Sequence, residues 1–194
     1  MKPIVFATNN AHKLAELRQM LGQRFEVLSL SDIDCHDDIP ETGSTFEENA
    51  LLKARWVKDR YGYDCFADDS GLEVDALGGR PGIHSARYAG EHGDSNANNA
   101  LLLRELEGYT DRTARFRCTI ALLFGDDEPR FFNGTVEGSI IEHPDGSQGF
   151  GYDPLFRPDG WDCTFAQAAP ERKNAVSHRG KAVSELVKYL EKLY

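Results

Sequence analysis

A short apolar run, Cys65-Phe66-Ala67, leads straight into two adjacent carboxylates, Asp68-Asp69. A hydroxyl and a glycine, Ser70-Gly71, follow before Leu72-Glu73-Val74-Asp75-Ala76-Leu77. No other stretch constrains the fold as tightly. The lead-in is buried-strand material, and carboxylates beside it are costly to bury unless a cation or hydrogen-bond donors meet them. Gly71 admits a sharp turn or a close approach to a ligand. The pattern predicts a strand that ends at a polar loop and presents acid side chains at its tip, a common place for a metal or catalytic carboxylate in an α/β protein. An Asx-type turn between two strands is the competing account of the same residues.

A chain of 194 residues accommodates one domain, here taken as a single two-lobed unit over 1–194. The formal net charge of −10 argues against a non-specific nucleic-acid binder. An anionic ligand would need a local cluster of Lys and Arg, or a metal, to overcome that field. The four cysteines, Cys35, Cys65, Cys118 and Cys163, lie far apart with no CxxC spacing, which predicts reduced thiols in a cytoplasmic protein. The opening Met1-Lys2-Pro3-Ile4-Val5-Phe6 has too few apolar residues for a signal peptide, and no apolar run approaches a membrane span.

Along the chain, Ile4-Val5-Phe6-Ala7 reads as a buried strand that stops at Thr8-Asn9-Asn10. Ala11 to Leu21 then carries Leu14, Leu17 and Leu21 at helical spacing, with Gly22 as the stop. Strand, polar turn and helix together place free backbone N–H groups at Asn9-Asn10, where an anion can bind. Lys13 in the first turn opposes the helix dipole, which makes sense if it reaches a phosphate; a solvated surface lysine is the alternative. Phe25 to Ser29 reads as a strand, and Ser31 to Gly43 as an acidic, irregular segment containing Glu41. Ser44-Thr45-Phe46-Glu47 has the form of a capping box. It opens a helix with Phe46, Ala50, Ala54 and Val57 on one face, ending near Tyr61-Gly62, with Glu48, Asn49 and Lys53 in its first turns.

Beyond the central acids, Gly78 to Gly82 is a loop and Asp94 caps a helix that stops at Gly108. Thr113 to Phe124 is a strand, alternating at Ala114-Arg115-Phe116-Arg117-Cys118 and wholly apolar at Ile120-Ala121-Leu122-Leu123. Gly125-Asp126-Asp127 turns the chain into a strand over Arg130 to Glu137, with one more strand over Gly138 to Glu142. In Gly149-Phe150-Gly151-Tyr152-Asp153-Pro154, aromatics stand between glycines; such rings stack on a base or pack as an aromatic turn. Glu171 to Lys181 concentrates positive charge ahead of a helix with Ala182, Leu186, Val187 and Leu190 on one face, either as a binding segment or as a solvated turn.

The set Thr8-Asn9-Asn10-x-x-Lys13, Ser44 to Ala50, Asp68 to Leu72, Pro81-Gly82-x-x-Ser85-Ala86-Arg87-Tyr88, Phe150 to Pro154 and Ser177-His178-Arg179-Gly180 resembles the inosine triphosphate pyrophosphatase (Ham1) family, the non-canonical purine nucleoside triphosphate pyrophosphatases. The motifs run in order over nearly the whole chain. The resemblance implies an α/β fold with a long mixed β-sheet flanked by helices, two lobes with a central substrate cleft, and a homodimer. It implies Mg²⁺-dependent hydrolysis of XTP, ITP and dITP to the monophosphate and pyrophosphate, which clears deaminated purines from the nucleotide pool. Residue by residue, it implies that Thr8, Asn9, Asn10, Ala11, His12 and Lys13 hold the triphosphate, and that Glu41 and Asp69 hold the metal. Asp69 is also the implied proton acceptor, with Ser70 on the substrate. Phe150, Gly151, Tyr152, Asp153, Lys173, His178 and Arg179 would surround base and sugar.

The chemistry suits these residue types. Mg²⁺ prefers one or two carboxylates plus phosphate oxygens and water. An isolated Asp, with a pKa of about 3.9, is a weak base at neutral pH, so Asp69 needs a metal-acidified water to act on; Asp68 would support the metal or the loop. Lys173, Arg179 and backbone N–H groups can donate to the 6-oxygen of hypoxanthine or xanthine and reject the 6-amino group of adenine. Three rivals are disfavoured: a Maf-like nucleotide pyrophosphatase by the Phe150 to Asp153 and Ser177 to Gly180 motifs, a nucleotide-binding regulator without catalysis by intact Asp69, Lys13 and Glu41, and a glycosidase pair formed by Asp68 and Asp69 because neighbouring strand residues point apart.

Overall fold

Alternation along short strands explains the layering. The computed structural model describes residues 3–21 and 24–193, so the expected helix stop at Gly22 and the first two residues of the N-terminal reading lie outside the described residues. The elements are β1 (Ile4–Phe6), α1 (Ala11–Leu21), β2 (Val27–Leu28), α2 (Phe46–Tyr61), β3 (Cys65–Val74), α3 (Ser95–Glu105), β4 (Thr113–Leu123), β5 (Arg130–Ile140), β6 (Phe156–Pro158), α4 (Pro170–Val176) and α5 (His178–Leu190). The sheet order is β2-β1-β3-β4-β5-β6. It is mixed: β1 runs parallel to β2 and β3, while β6 is antiparallel to β5. The α/β class and the long mixed sheet agree with the expectation.

The chain divides into two compact units. The first comprises Met1–Asp69, Cys118–Asn133 and Gly180–Tyr194, and the second Ser70–Arg117 and Gly134–Arg179. In the first unit both faces of the strands are buried. Ile4, Phe6, Phe66, Cys118, Ile120 and Leu122 pack with Leu17 and Leu21 of α1 and with Ala182, Val183, Leu186, Val187 and Leu190 of α5. The alternate residues Val5, Ala7, Cys65 and Ala67 pack with Ala54 and Val57 of α2. Strands buried on both faces have continuous apolar runs, and these do.

In the second unit one strand face is apolar. Leu72, Val74, Ala114, Phe116, Val136 and Ile140 pack with Leu102 and Leu106 and with Tyr152, Phe156 and Phe165. The opposite face is a charge ladder. Arg115 bridges Glu137 (3.0 Å) and Asp75 (2.8 Å), and Arg117 meets Glu73 (3.1 Å). The burial pattern along β4 changes from alternating to continuous at Arg117/Cys118, where the chain passes from the second unit to the first.

Several local expectations need correction. Asp68-Asp69-Ser70-Gly71 is neither a loop nor an Asx-type turn: β3 runs unbroken from Cys65 to Val74, and Gly71 is not among the positive-φ glycines. Sheet pairing overrides the turn signal because acids inside a strand are tolerated where lysines reach them. The strand expected over Phe25 to Ser29 is formed only at Val27–Leu28. Arg130 to Glu142 makes one strand ending at Ile140, not two, and β6 was not anticipated. The N-cap of α2 is Thr45, whose Oγ1 accepts from Glu48 N–H (3.1 Å), while the Glu48 carboxylate accepts from Ser44 N–H (2.6 Å). The cap is therefore one residue later than the Ser44/Glu47 reading. Finally, the basic segment is no solvated turn. It forms α4 and the start of α5, with Lys173, His178 and Arg179 buried.

Candidate active site

In the first unit, β3 carries the acids. Successive side chains on a strand point to opposite faces, so Asp68 follows Phe66 toward α1 and Asp69 follows Ala67 toward α2. The contacts match. Lys13 Nζ of α1 lies 3.1 Å from Asp68 Oδ2, and the Cys118 thiol faces the same oxygen at 3.9 Å. On the other side, Lys53 of α2 lies 2.5 Å from Glu41 Oε1 and donates to the Asp68 backbone carbonyl (2.6 Å). Two adjacent acids on opposite faces cannot flank one glycosidic bond, which removes the glycosidase reading.

Three carboxylates, Glu41, Asp68 and Asp69, thus share two lysines, leaving one net negative charge in the cluster. Asp69 is buried, and its Oδ2 has no hydrogen-bond partner. Burial pushes its pKa up to about 6, against the pull of Lys53 and Lys13 and with help from Glu41 and Asp68. For Lys53, burial alone would lower the pKa, but Glu41, Asp68 and Asp69 reverse this and hold it above the ordinary value. An enclosed, unsatisfied carboxylate oxygen beside a second acid is a donor set that suits a hard cation such as Mg²⁺, which needs few protein ligands. Among the described residues no group of three His, Cys, Asp or Glu side chains gathers as a complete metal cage.

The Thr8 to Lys13 turn is formed, and the N–H groups of Thr8, Asn10, His12 and Lys13 are engaged within it or with Phe6. Thr8 Oγ1 accepts from Asn10 N–H (3.1 Å), and Asn10 Oδ1 accepts from His12 (3.0 Å) and Lys13 (3.1 Å). The expectation of free N–H groups there is corrected at Asn10, whose N–H donates to Thr8, while the asparagine cap takes those of His12 and Lys13, as capping residues do. Asn9, Ala11 and His12 are exposed. Lys13 is neither a solvated lysine nor poised over open surface, because Asp68 holds it. The loop bearing Glu41 is tied to α2 by Gly43 N–H donating to the buried Asn49 Oδ1 (2.8 Å).

The second unit carries the other half of the expected residues. Ser70 Oγ accepts from the Arg179 guanidinium (3.0 Å). Arg179 is only 2% exposed, and its guanidinium lies 5.5 Å from the centre of the Phe150 ring. Lys173 Nζ is 2.7 Å from Asp153 Oδ2 and 5.0 Å from the Phe150 ring centre. Asp153 Oδ2 also accepts from Phe150 N–H (3.1 Å), which closes the turn. Gly149 is at φ +71°, and a Cβ there would run into the Asp153 carboxylate. His178 stacks on Phe116, with ring centres 4.7 Å apart and planes 14° from parallel. The Tyr152 hydroxyl donates to the Ser85 carbonyl (2.6 Å). Gly151 receives the Asn99 amide.

The expected residues therefore gather as two clusters, one in each unit, and the chain crosses between units at Asp69–Ser70 and at Arg179–Gly180. From the sequence, Lys53 is open between a cleft-facing lysine and an ordinary amphipathic-helix lysine, Cys118 reads only as a reduced thiol, and Asn99 carries no signal. A signal for Lys53 was present: it sits one turn from Ala50 and Val57 on the face that α2 buries.

The chain is similar to known proteins over nearly its whole length. The Ham1 family model matches residues 4–189. The dITP/XTP pyrophosphatase of Flavobacterium psychrophilum is 50% identical, covering 97% of this chain and 98% of that one. The dITP/XTP pyrophosphatase of Bacillus subtilis is 46% identical, covering 98% of each. Among solved structures, the Staphylococcus aureus Ham1 protein superposes with a TM-score of 0.90 at 44% identity, covering 100% of both chains. With the family model spanning nearly its full length and relatives at this identity, the chain belongs to the Ham1 family.

Proposed function

We propose that this chain is a nucleoside triphosphate pyrophosphatase that hydrolyses dITP, XTP and ITP to the monophosphate and pyrophosphate. The observation that carries the reading is Asp69: a buried carboxylate, unsatisfied at Oδ2, held near neutrality in its pKa and flanked by lysines. A general base works best when its pKa lies near the operating pH. Asp69 takes the proton of the water that attacks the α-phosphorus, and pyrophosphate leaves. Lys13 and Lys53 supply fixed positive charge where phosphate charge develops. Glu41 and Asp69 would hold Mg²⁺, which when bound neutralises triphosphate charge and acts as a Lewis acid.

In the second unit, Phe150 offers a face for the base, and Lys173 and Arg179 offer donors to a 6-oxo group. A buried donor left without its partner costs about 1–3 kcal/mol, so two such donors give a preference of roughly a hundredfold or more over a 6-amino purine. Thr8 to Lys13 would take the triphosphate, with the Asn10 cap exchanging its N–H partners for phosphate oxygens. The reading carries with it a homodimer acting in the cytoplasm, with no nucleic-acid or membrane partner. Among the described residues, no helix is long and apolar enough to cross a membrane.

The test is a panel of nucleoside triphosphates with Mg²⁺, scored for both pyrophosphate and orthophosphate. Pyrophosphate from ITP and XTP with slow turnover of ATP and GTP is the expected result. Orthophosphate, or equal rates on ATP, would overturn the reaction or the base preference.

A further inference from the structure

Helix α3 buries two adjacent asparagines, and they are used differently. Asn98 engages both ends of its amide: Oδ1 accepts from Ala89 N–H (2.7 Å) and Nδ2 donates to the Ala86 carbonyl (3.1 Å). Asn99 engages one. Its Nδ2 donates to the Gly151 carbonyl (3.1 Å), while Oδ1 is enclosed with no hydrogen-bond partner. The residue is 9% exposed, so water does not readily offset the unmet acceptor. A leucine would fill the same space without burying a polar atom. Retaining an amide here makes physical sense if its donor half is needed, and the acceptor that donor meets is Gly151.

Gly151 is the position in the Phe150–Asp153 turn where orientation is least determined by the chain itself. It lies at φ +60°, and a glycine there has alternatives that other residues lack. The Gly151 carbonyl and the Tyr152 N–H belong to one rigid peptide plane. Holding the oxygen therefore also fixes the direction of that N–H. A flip of the plane would exchange a donor for an acceptor beside Phe150. The turn's other ties, Phe150 N–H to the Asp153 carboxylate, Asp153 N–H to the Phe150 carbonyl (3.2 Å) and Tyr152 hydroxyl to Ser85, are made by groups outside this peptide plane.

We propose that Asn99 is a positioning residue for base recognition: its amide holds the Gly151–Tyr152 peptide in one orientation and so sets the hydrogen-bonding sense of the Phe150–Asp153 turn. This rests on the pyrophosphatase reading above and deepens it.

The experiment compares the wild-type protein with Asn99→Leu and Asn99→Asp. Pyrophosphate release from ITP and ATP and thermal melting are followed for each. Asn99→Leu removes the donor and the unmet acceptor together. Its Tm should hold or rise, while KM for ITP rises about tenfold, kcat changes less than about threefold, and the ITP-over-ATP ratio of kcat/KM falls about tenfold, the size of one lost orienting hydrogen bond. Asn99→Asp keeps the shape and loses the donor, so it should move KM and the ratio in the same direction, and it serves alone if the leucine variant fails to fold. An ITP KM and an ITP-over-ATP ratio within about twofold of wild type in the folded variants, with or without a lower Tm, would overturn the assignment and leave Asn99 a packing residue. A wild-type protein that released pyrophosphate from no nucleoside triphosphate would overturn both the assignment and the reading beneath it.

Discussion

The acid cluster of the first unit and the Asp153–Lys173 pair of the second both bury charge, and they finish the task to different degrees. Around β3, three carboxylates share two lysines, and Asp69 keeps an oxygen with no hydrogen bond. Around Phe150, Asp153 is met by Lys173 and by a backbone N–H, and Lys173 and Arg179 lie near aromatic rings. On the proposed reading, the electrically incomplete cluster serves a cation and proton transfer. A cluster that is satisfied holds a shape. On the same proposed reading, chemistry falls to the first unit and recognition to the second.

The comparison can be broken or sharpened in four ways. Asp69→Asn should lower kcat by about 10²–10⁴-fold at saturating Mg²⁺, measured by steady-state pyrophosphate release; near-normal turnover would remove the base role. Next in size, breaking the satisfied pair with Lys173→Met or Asp153→Asn should destabilise by about 3–5 kcal/mol, read from urea denaturation. The double variant should lose less than the sum of the two if the ions act as a pair.

The third test concerns pH and runs on metal-free protein. Asp69 has a folded pKa raised from 3.8 to about 6, so the fold disfavours its charged form. That penalty is absent below the ordinary pKa, grows as pH rises toward about 6, and is complete above it. Asp69→Asn should therefore be more stable than wild type at pH 8 by about 3 kcal/mol, with the gap closing near pH 4. A constant gap across that range would show that the effect is not the buried charge. The smallest expected effect is at the Glu41 loop. A Cβ on Gly43 would come within 2.6 Å of Glu48 Cβ and 2.8 Å of Asn49 Oδ1. Gly43→Ala should cost about 1–3 kcal/mol in thermal or urea unfolding and raise the Mg²⁺ concentration needed for half-maximal rate.

Much of this was readable in the residues. The strand at Ile4, the helices opening at Ala11 and after Asp94, and the buried face Phe46-Ala50-Ala54-Val57 follow from periodicity and caps. So does the pattern change along β4, which turned out to coincide with a unit boundary. The misses have a common cause. Asp-Asp-Ser-Gly has the local chemistry of a turn, yet pairing between strands keeps it extended, because a sheet outweighs local preference where partners compensate the charge. For the basic Glu171 to Lys181 segment the residues leave a binding segment and a solvated turn both open, and the choice falls only when Asp153, Ser70 and the aromatic rings are brought to it.

What the amino-acid order determined by itself was local: which segments are amphipathic, where helices begin, and which motifs, taken together in register, mark the family. Periodicity and capping act over a few residues, so they can be read without a fold. Only the tertiary structure decided which lysine meets which acid, and that Asn99 reaches Gly151 from 52 residues away in sequence. Those outcomes depend on strand pairing and on packing between distant segments, and no local propensity encodes them.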